Sequence, residues 1–213
     1  MDSFTGLRRM MVDCQLRTYD ITNRAVLAAA DEVPREAFVP EALSHLAYLD
    51  QAVPLPGTGR ALMAPMVIAR MIQTLELQPG EEALEYGGGT GYGAALMARI
   101  GLRATLWEPD AAALALAESA LRTAAATDVT TTAKRPANDS FDAILVSGAC
   151  EIVPEELFSL LRQNGRLIAV DGFGRSARVK LYQKSGSTVS GRPVFDAAAP
   201  VLAEFRRPPA FVF

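Results

Sequence analysis

Five glycines fall within seven positions of this chain, Gly87, Gly88, Gly89, Gly91 and Gly93, directly after the short run Ala83-Leu84-Glu85-Tyr86. A turn alone does not need so many. Without side chains, the loop lets a ligand approach the backbone N–H groups and lets the next helix pack closely on the preceding strand. Gly89-Thr90-Gly91-Tyr92-Gly93-Ala94 satisfies the dinucleotide pattern G-x-G-x-x-G/A, and Glu108 lies 19 residues past Gly89, where an acidic side chain would accept hydrogen bonds from ribose hydroxyls. Glu85 separates the possible ligands. A pyrophosphate brought to the helix start would meet a carboxylate two residues before the first glycine. S-adenosylmethionine has no phosphate and carries an ammonium and a sulfonium, so Glu85-x-Gly87-x-Gly89-x-Gly91 fits it better. An NAD-dependent oxidoreductase is the less favoured alternative. The expected cofactor-binding set is Glu85, Gly87, Gly88, Gly89, Gly91, Tyr92, Glu108 and Ser147.

Other chemistries are poorly supplied. His45 is the single histidine, and Cys14 and Cys150 are the two cysteines. No His/Cys pair sits at zinc-ligand spacing. His45 lies in Ser44-His45-Leu46-Ala47-Tyr48, which has no nucleophile-elbow context. No metal is expected. Methyl transfer suits such a chain, because the electrophile arrives activated on its carrier and an ionised carboxylate needs no general base.

These residues must be placed by alternating strands and helices. Thr22 is the expected cap of a helix with Val26, Leu27, Ala30 and Val33 on one face, ended by Pro34. An earlier helix is expected over 7–16. Val53 to Gly59 reads as a loop, and Pro65 opens a helix with Val67, Ile68, Met71, Ile72 and Leu75 inward. Strands are expected at 83–86, 103–108, 129–132, 141–147 and 166–170. Helices should follow the glycine loop, Asp110 and Pro154, the last with Leu157, Leu160 and Leu161 inward and Asn164-Gly165 as its stop. A hairpin is expected from 179–183 and 188–195 around Ser185-Gly186-Ser187. The fold class is therefore α/β, a doubly wound, mostly parallel Rossmann-like sheet with helices on both faces, an N-terminal helical extension and a C-terminal hairpin. Residues 1–78 form the N-terminal, substrate-side segment and 79–213 the cofactor domain, packed as one unit.

Charge adds little about partners. Residues 1–165 carry 13 Lys and Arg against 21 Asp and Glu, whereas residues 166–213 carry 8 against 3. No basic block interleaves with aromatics, so nucleic acid is not expected. No apolar run suits a membrane span, and Met1-Asp2-Ser3-Phe4 lacks signal-peptide order. A cytoplasmic protein with reduced thiols is expected.

Several stretches together resemble one known family, the protein-L-isoaspartate O-methyltransferases. They are Met11-Val12-Asp13-Cys14-Gln15-Leu16-Arg17, Val33-Pro34-Arg35-Glu36-Ala37-Phe38-Val39-Pro40, Ala47-Tyr48-Leu49-Asp50, the loop from Glu85 to Tyr92, Phe141-Asp142-Ala143-Ile144-Leu145-Val146 and Gly165-Arg166-Leu167. The resemblance implies an S-adenosylmethionine-dependent enzyme that methylates the carboxylate of isoaspartyl residues in damaged proteins or peptides. It also exposes two departures. Where the family has Ile-Ser-Gln-Pro, with its active-site serine, this chain has Leu62-Met63-Ala64-Pro65, so the serine position holds Met63 and the catalytic residue is unassigned. The family's Gly-Asp pair beside the adenine is replaced by the short basic stretch Ala133-Lys134-Arg135-Pro136-Ala137-Asn138-Asp139, in which Asp139 is either a candidate substitute or an ordinary turn residue. Arg60, Ser147 and Cys150 are further candidates for the acceptor side. A different acceptor, or cofactor binding without catalysis, remains open.

Overall fold

A computed structural model describes residues 3–208. The chain opens with α1 (Phe4–Met11), which widens into a π-helical stretch at Val12–Leu16, and continues through α2 (Arg24–Glu32) and two 3-10 turns at Arg35–Phe38 and Glu41–Leu46. A small antiparallel hairpin, β1 (Val53–Pro54) and β2 (Ala61–Leu62), pairs Val53 with Leu62, so that the segment 53–59 expected to be loop begins as a strand. Asn23, not Thr22, caps α2: its side chain accepts from Ala25 N and Val26 N, while the Thr22 and Asn23 amides are taken by the Gln73 side chain. Helix α3 (Pro65–Thr74) begins on Pro65 as expected, since proline has no N–H to lose in the first turn.

The sheet then follows as β3 (Glu82–Tyr86), α4 (Tyr92–Ile100), β4 (Arg103–Trp107), α5 (Ala111–Thr123), β5 (Thr130–Thr132), β6 (Phe141–Cys150), α6 (Glu155–Phe158), β7 (Leu161–Asp171), β8 (Arg178–Ser185) and β9 (Thr188–Asp196). Its order is β5-β4-β3-β6-β7-β8-β9, parallel from β5 to β7 and antiparallel beyond. The chain starts in the middle, winds outward to β5 and returns beside β3 with β6. This reversal between β3 and β6 is where such sheets bind ligands, outside the carboxyl ends of the strands.

Alternation along the strands divides the core. Ala83, Leu106, Ala143, Leu145 and Ile168 face a cluster shared with Met11, Leu27, Ile68, Leu96 and Leu121 from helices on one side. Leu84, Tyr86, Ile144, Val146 and Leu167 face the other side, where Leu157 and Leu160 around the single-turn α6 and Leu202 and Phe205 from the chain's end supply the cover. The second face is thus far more thinly clad. The helix expected from Pro154 stops after one turn because the Ser159 and Leu160 carbonyls accept from the amides of Asp139, Ser140 and Phe141 at the start of β6. Leu161 instead begins β7. Asn164-Gly165 is then no helix stop but part of a bulge: Phe141 pairs with Leu161 and Ala143 with Arg166, leaving Asn164 at φ 64°.

Candidate active site

The carboxyl ends of β3, β4 and β6 converge on the glycine loop, and each brings one polar side chain. Glu85, on β3, is buried. Its Oε1 accepts from Ser147 Oγ at 2.6 Å, across the reversal from β6, and its Oε2 accepts from Ala94 N at 2.7 Å in the first turn of α4. The expectation was a carboxylate beside a cationic ligand. The structure turns it inward, behind the loop, where it satisfies a helix-start amide that has no intrahelical partner. Burial pushes the Glu85 carboxyl up to about 7, against the lowering pull of Ser147 and the Ala94 and Gly93 amides. The glycines allow this fold-back: a Cβ on Gly93 would lie 2.5 Å from Glu85 Oε1, and one on Gly88 would overlap its carboxyl group.

Glu108, just past β4, is completely buried. Its Oε2 accepts from Gly89 N at 2.9 Å, which ties it to the loop, and its Oε1 accepts from Asp110 N at 2.9 Å. Asp110 caps α5 as expected, accepting from Ala113 N. Arg60, from the turn of the β1–β2 hairpin, crosses to Glu108 and donates to it from Nε and Nη2 at 2.9 and 2.8 Å. The same guanidinium donates to Glu204 near the chain's end, at 2.9 Å from Nη1 and 2.5 Å from Nη2. Tyr86 Oη adds a 3.2 Å bond to Glu204. Burial acts to lower the Arg60 pKa, but the hydrogen bonds and charges of Glu204 and Glu108 outweigh it and raise the value. Burial likewise works against ionised Glu204, and Arg60 holds that carboxyl below its ordinary value.

Around this triad lie apolar side chains. Leu55 sits over Gly89, where an added Cβ would lie 2.5 Å from Leu55 Cδ1, and Leu202 sits over Gly87 at 3.2 Å. Trp107, the single tryptophan, stacks edge-on against Tyr86 with centroids 4.9 Å apart.

In the segment expected to face the acceptor, Met63 is buried, and its carbonyl accepts from Arg35 Nη2 at 2.6 Å. Arg35 is wholly buried too, donates from Nε to Ala47 O at 2.7 Å and lies over the Tyr92 ring at 4.8 Å. Its Nη1 has no hydrogen-bond partner among the described residues. One guanidinium therefore links the Met63 segment to the first residue of α4. His45 and Cys14 are exposed, whereas burial pushes the Cys150 thiol up, so Cys150 is a packed thiol and not a nucleophile. Asp139 is exposed and pairs with Lys184 on β8. Among the described residues no group of His, Cys, Asp and Glu is arranged to hold a metal ion.

The structure thus brings Glu85, Ser147, the glycines and Glu108 together, whereas the expected Tyr92 turns its ring to Arg35 and Phe38. Leu55, Leu202 and Glu204 were not anticipated, and Arg60 was anticipated in a different role. Only its place just ahead of Leu62-Met63-Ala64-Pro65 hinted at Arg60, and nothing near residue 204 pointed to the site.

A family model described as protein-L-isoaspartate(D-aspartate) O-methyltransferase matches residues 8–197. Relatives carrying the name protein-L-isoaspartate O-methyltransferase include one from Methylorubrum extorquens (strain PA1), 42% identical over 168 residues, covering 76% of this chain and 72% of that protein. Another, from Roseiflexus castenholzii (strain DSM 13941 / HLO8), is 38% identical over 192 residues, covering 87% of each. Among solved structures, a protein-L-isoaspartate O-methyltransferase superposes with a TM-score of 0.78 at 22% identity, over 92% of this chain and 66% of that one. A Plasmodium falciparum protein described as such a methyltransferase, in complex with S-adenosyl-L-homocysteine, superposes with a TM-score of 0.75 at 20% identity, over 96% of this chain and all of that one. These two show the shared fold.

Proposed function

The chain belongs to the protein-L-isoaspartate(D-aspartate) O-methyltransferase family, and from that membership we propose that it methylates the free carboxylate of isoaspartyl residues in proteins or peptides, with S-adenosylmethionine as donor. The observation that carries this reading is the glycine loop at the β3–β6 reversal with Glu108 bonded to Gly89 N. The residues present suit the cofactor. Glu108 offers two carboxylate oxygens for two ribose hydroxyls, and Gly87, Gly88, Gly89 and Gly91 leave backbone bare for close approach. Glu85, held by Ser147 and Ala94 N, fixes the loop from behind. In the conformation described, Leu55, Arg60 and Leu202 lie over these groups and must shift to admit a ligand.

The cofactor, when bound, supplies a methyl group already activated on a sulfonium. What the chain must add is position. An acceptor carboxylate is ionised at neutral pH, so no general base is required, and holding it in line contributes up to about 7–11 kcal/mol. Residues 1–78 are proposed to supply the acceptor side and 79–213 the cofactor side. Arg35, bonded to the Met63 carbonyl and stacked on Tyr92, supports their packing as one unit. Unpaired Cys14 and Cys150 favour a reducing compartment such as the cytoplasm. No helix among the described residues is long and apolar enough to cross a membrane.

A second reading, binding of the cofactor without isoaspartyl methylation, is favoured by Met63, whose thioether donates no hydrogen bond to an acceptor. A labelled-methyl assay on an isoaspartyl peptide separates the two. A base-labile methyl ester is the expected product; its absence, with S-adenosylhomocysteine binding intact, overturns the first reading and leaves the second.

A further inference from the structure

We propose that Arg60 competes with the cofactor for Glu108, so that the β1–β2 hairpin and the segment around residues 200–205 form a latch that must open before the glycine loop can take its ligand. The inference rests on the cofactor reading above. A carboxylate has about four lone-pair sites. Those of Glu108 are occupied by Gly89 N, Asp110 N and the Nε and Nη2 of Arg60. Of the two backbone donors, Gly89 N is fixed in the glycine loop and Asp110 N at the cap of α5, so neither can leave without local unfolding. Only the guanidinium can give way to a ribose.

The latch is built from both sides. Arg60 and Leu55 come from the hairpin, whose turn is closed by Leu55 N donating to Arg60 O at 3.1 Å. Glu204 and Leu202 come from the far end of the chain, which is tied to β6 by Ala149 N to Pro200 O at 2.8 Å and Leu202 N to Ala149 O at 3.0 Å. Glu204 receives two of the guanidinium's N–H groups and so holds Arg60 over Glu108. The leucines fill the space that the missing Cβ atoms of Gly87 and Gly89 leave open. Only 7% of Arg60 is exposed and Glu108 is fully buried, so the guanidinium covers the carboxylate that the cofactor's ribose would reach.

A ligand that binds only the open form has its affinity reduced by the fraction open, so an open population of about 1–10% weakens binding by about 10- to 100-fold. The test is calorimetric titration of S-adenosylhomocysteine into the wild-type protein, Arg60→Ala and Glu204→Gln, with thermal melts as the folding control. Arg60→Ala is expected to bind at least about tenfold tighter and Glu204→Gln to bind tighter by a smaller factor, since Arg60 then loses one of its two anchors. Hydrogen exchange adds a signature that a merely structural arginine would not produce. In the wild type, ligand should speed amide exchange in 53–62 and 200–206 while protecting the glycine loop, and in Arg60→Ala it should leave those segments unchanged.

Binding to the wild type that neither substitution tightens overturns the competition and leaves the cofactor reading standing. If Arg60→Ala does not fold, Glu204→Gln alone decides. No binding to any of the three at millimolar ligand overturns the cofactor reading, and the competition with it.

Discussion

Replacing Glu85 with glutamine should make the protein more stable in mild alkali and leave it nearly unchanged in acid. The carboxyl is buried, with burial raising its pKa from the ordinary 4.5 to about 7. In the unfolded chain it ionises near 4.5; in the folded protein it keeps its proton until about pH 7. Between those values the folded state holds a proton that the unfolded state has released, so stability falls as pH rises. Above both values the ionised folded carboxylate costs about 3 kcal/mol relative to acid pH. Glutamine keeps the shape. Its amide oxygen can accept from Ala94 N while its NH2 donates to Ser147 Oγ, so both partners at 2.7 and 2.6 Å remain satisfied. In a chain of this size about 3 kcal/mol corresponds to roughly 6–12 °C in melting temperature. Melts of the two proteins compared from pH 4.5 to 8.5 should coincide near the acid end and diverge through pH 5–7, with Glu85→Gln the more stable. Other titrating groups are common to both and cancel in the difference. A flat difference, or a glutamine variant that melts lower at pH 8, would refute the assignment of a buried, burial-raised carboxyl.

Other substitutions probe the surrounding structure. Arg35→Ala removes two charge-assisted bonds, to Ala47 O and Met63 O, along with a buried side chain, and should cost about 3 kcal/mol or more in urea unfolding; Arg35→Lys, without the planar fork, should recover little of it. Gly93→Ala would place a methyl 2.5 Å from Glu85 Oε1 and 2.8 Å from Leu145 Cδ2, a loss of about 1–3 kcal/mol that melting would report. Met63→Ser should lower stability by about 2–4 kcal/mol because Met63 is buried, yet raise isoaspartyl methyl transfer by about tenfold or more if a missing hydroxyl limits the reaction; transfer unchanged in a folded variant places the limit elsewhere.

Much of the fold is legible because its signals are local. The β3 strand, the glycine run and α4 follow one another within 19 residues, and their sterics are decided by neighbours in the chain. Asp110 caps α5 by bonding three residues ahead, and Pro65 can only begin a helix. Errors arise where a competing partner lies far off in sequence. Gln73 takes the amides beside Thr22, so the cap moves to Asn23. The amides of residues 139–141 claim the carbonyls that would have prolonged α6, and Asn164-Gly165 becomes a bulge in β7.

The candidate site divides in the same way. Residue types and spacing determined that a glycine loop would follow a strand, that an acid would stand at the next strand's end, and that histidine or metal chemistry had almost no material. Those follow from backbone sterics and short spacings, which repeat whenever the residues do. Tertiary structure alone decided which way Glu85 points, and that Arg60 finds Glu108 48 residues away and Glu204 144 residues away. Ion pairing has no spacing rule. It depends on which charges the packed segments bring together and strip of water, and here that packing sets an arginine over the acid proposed to hold a ribose.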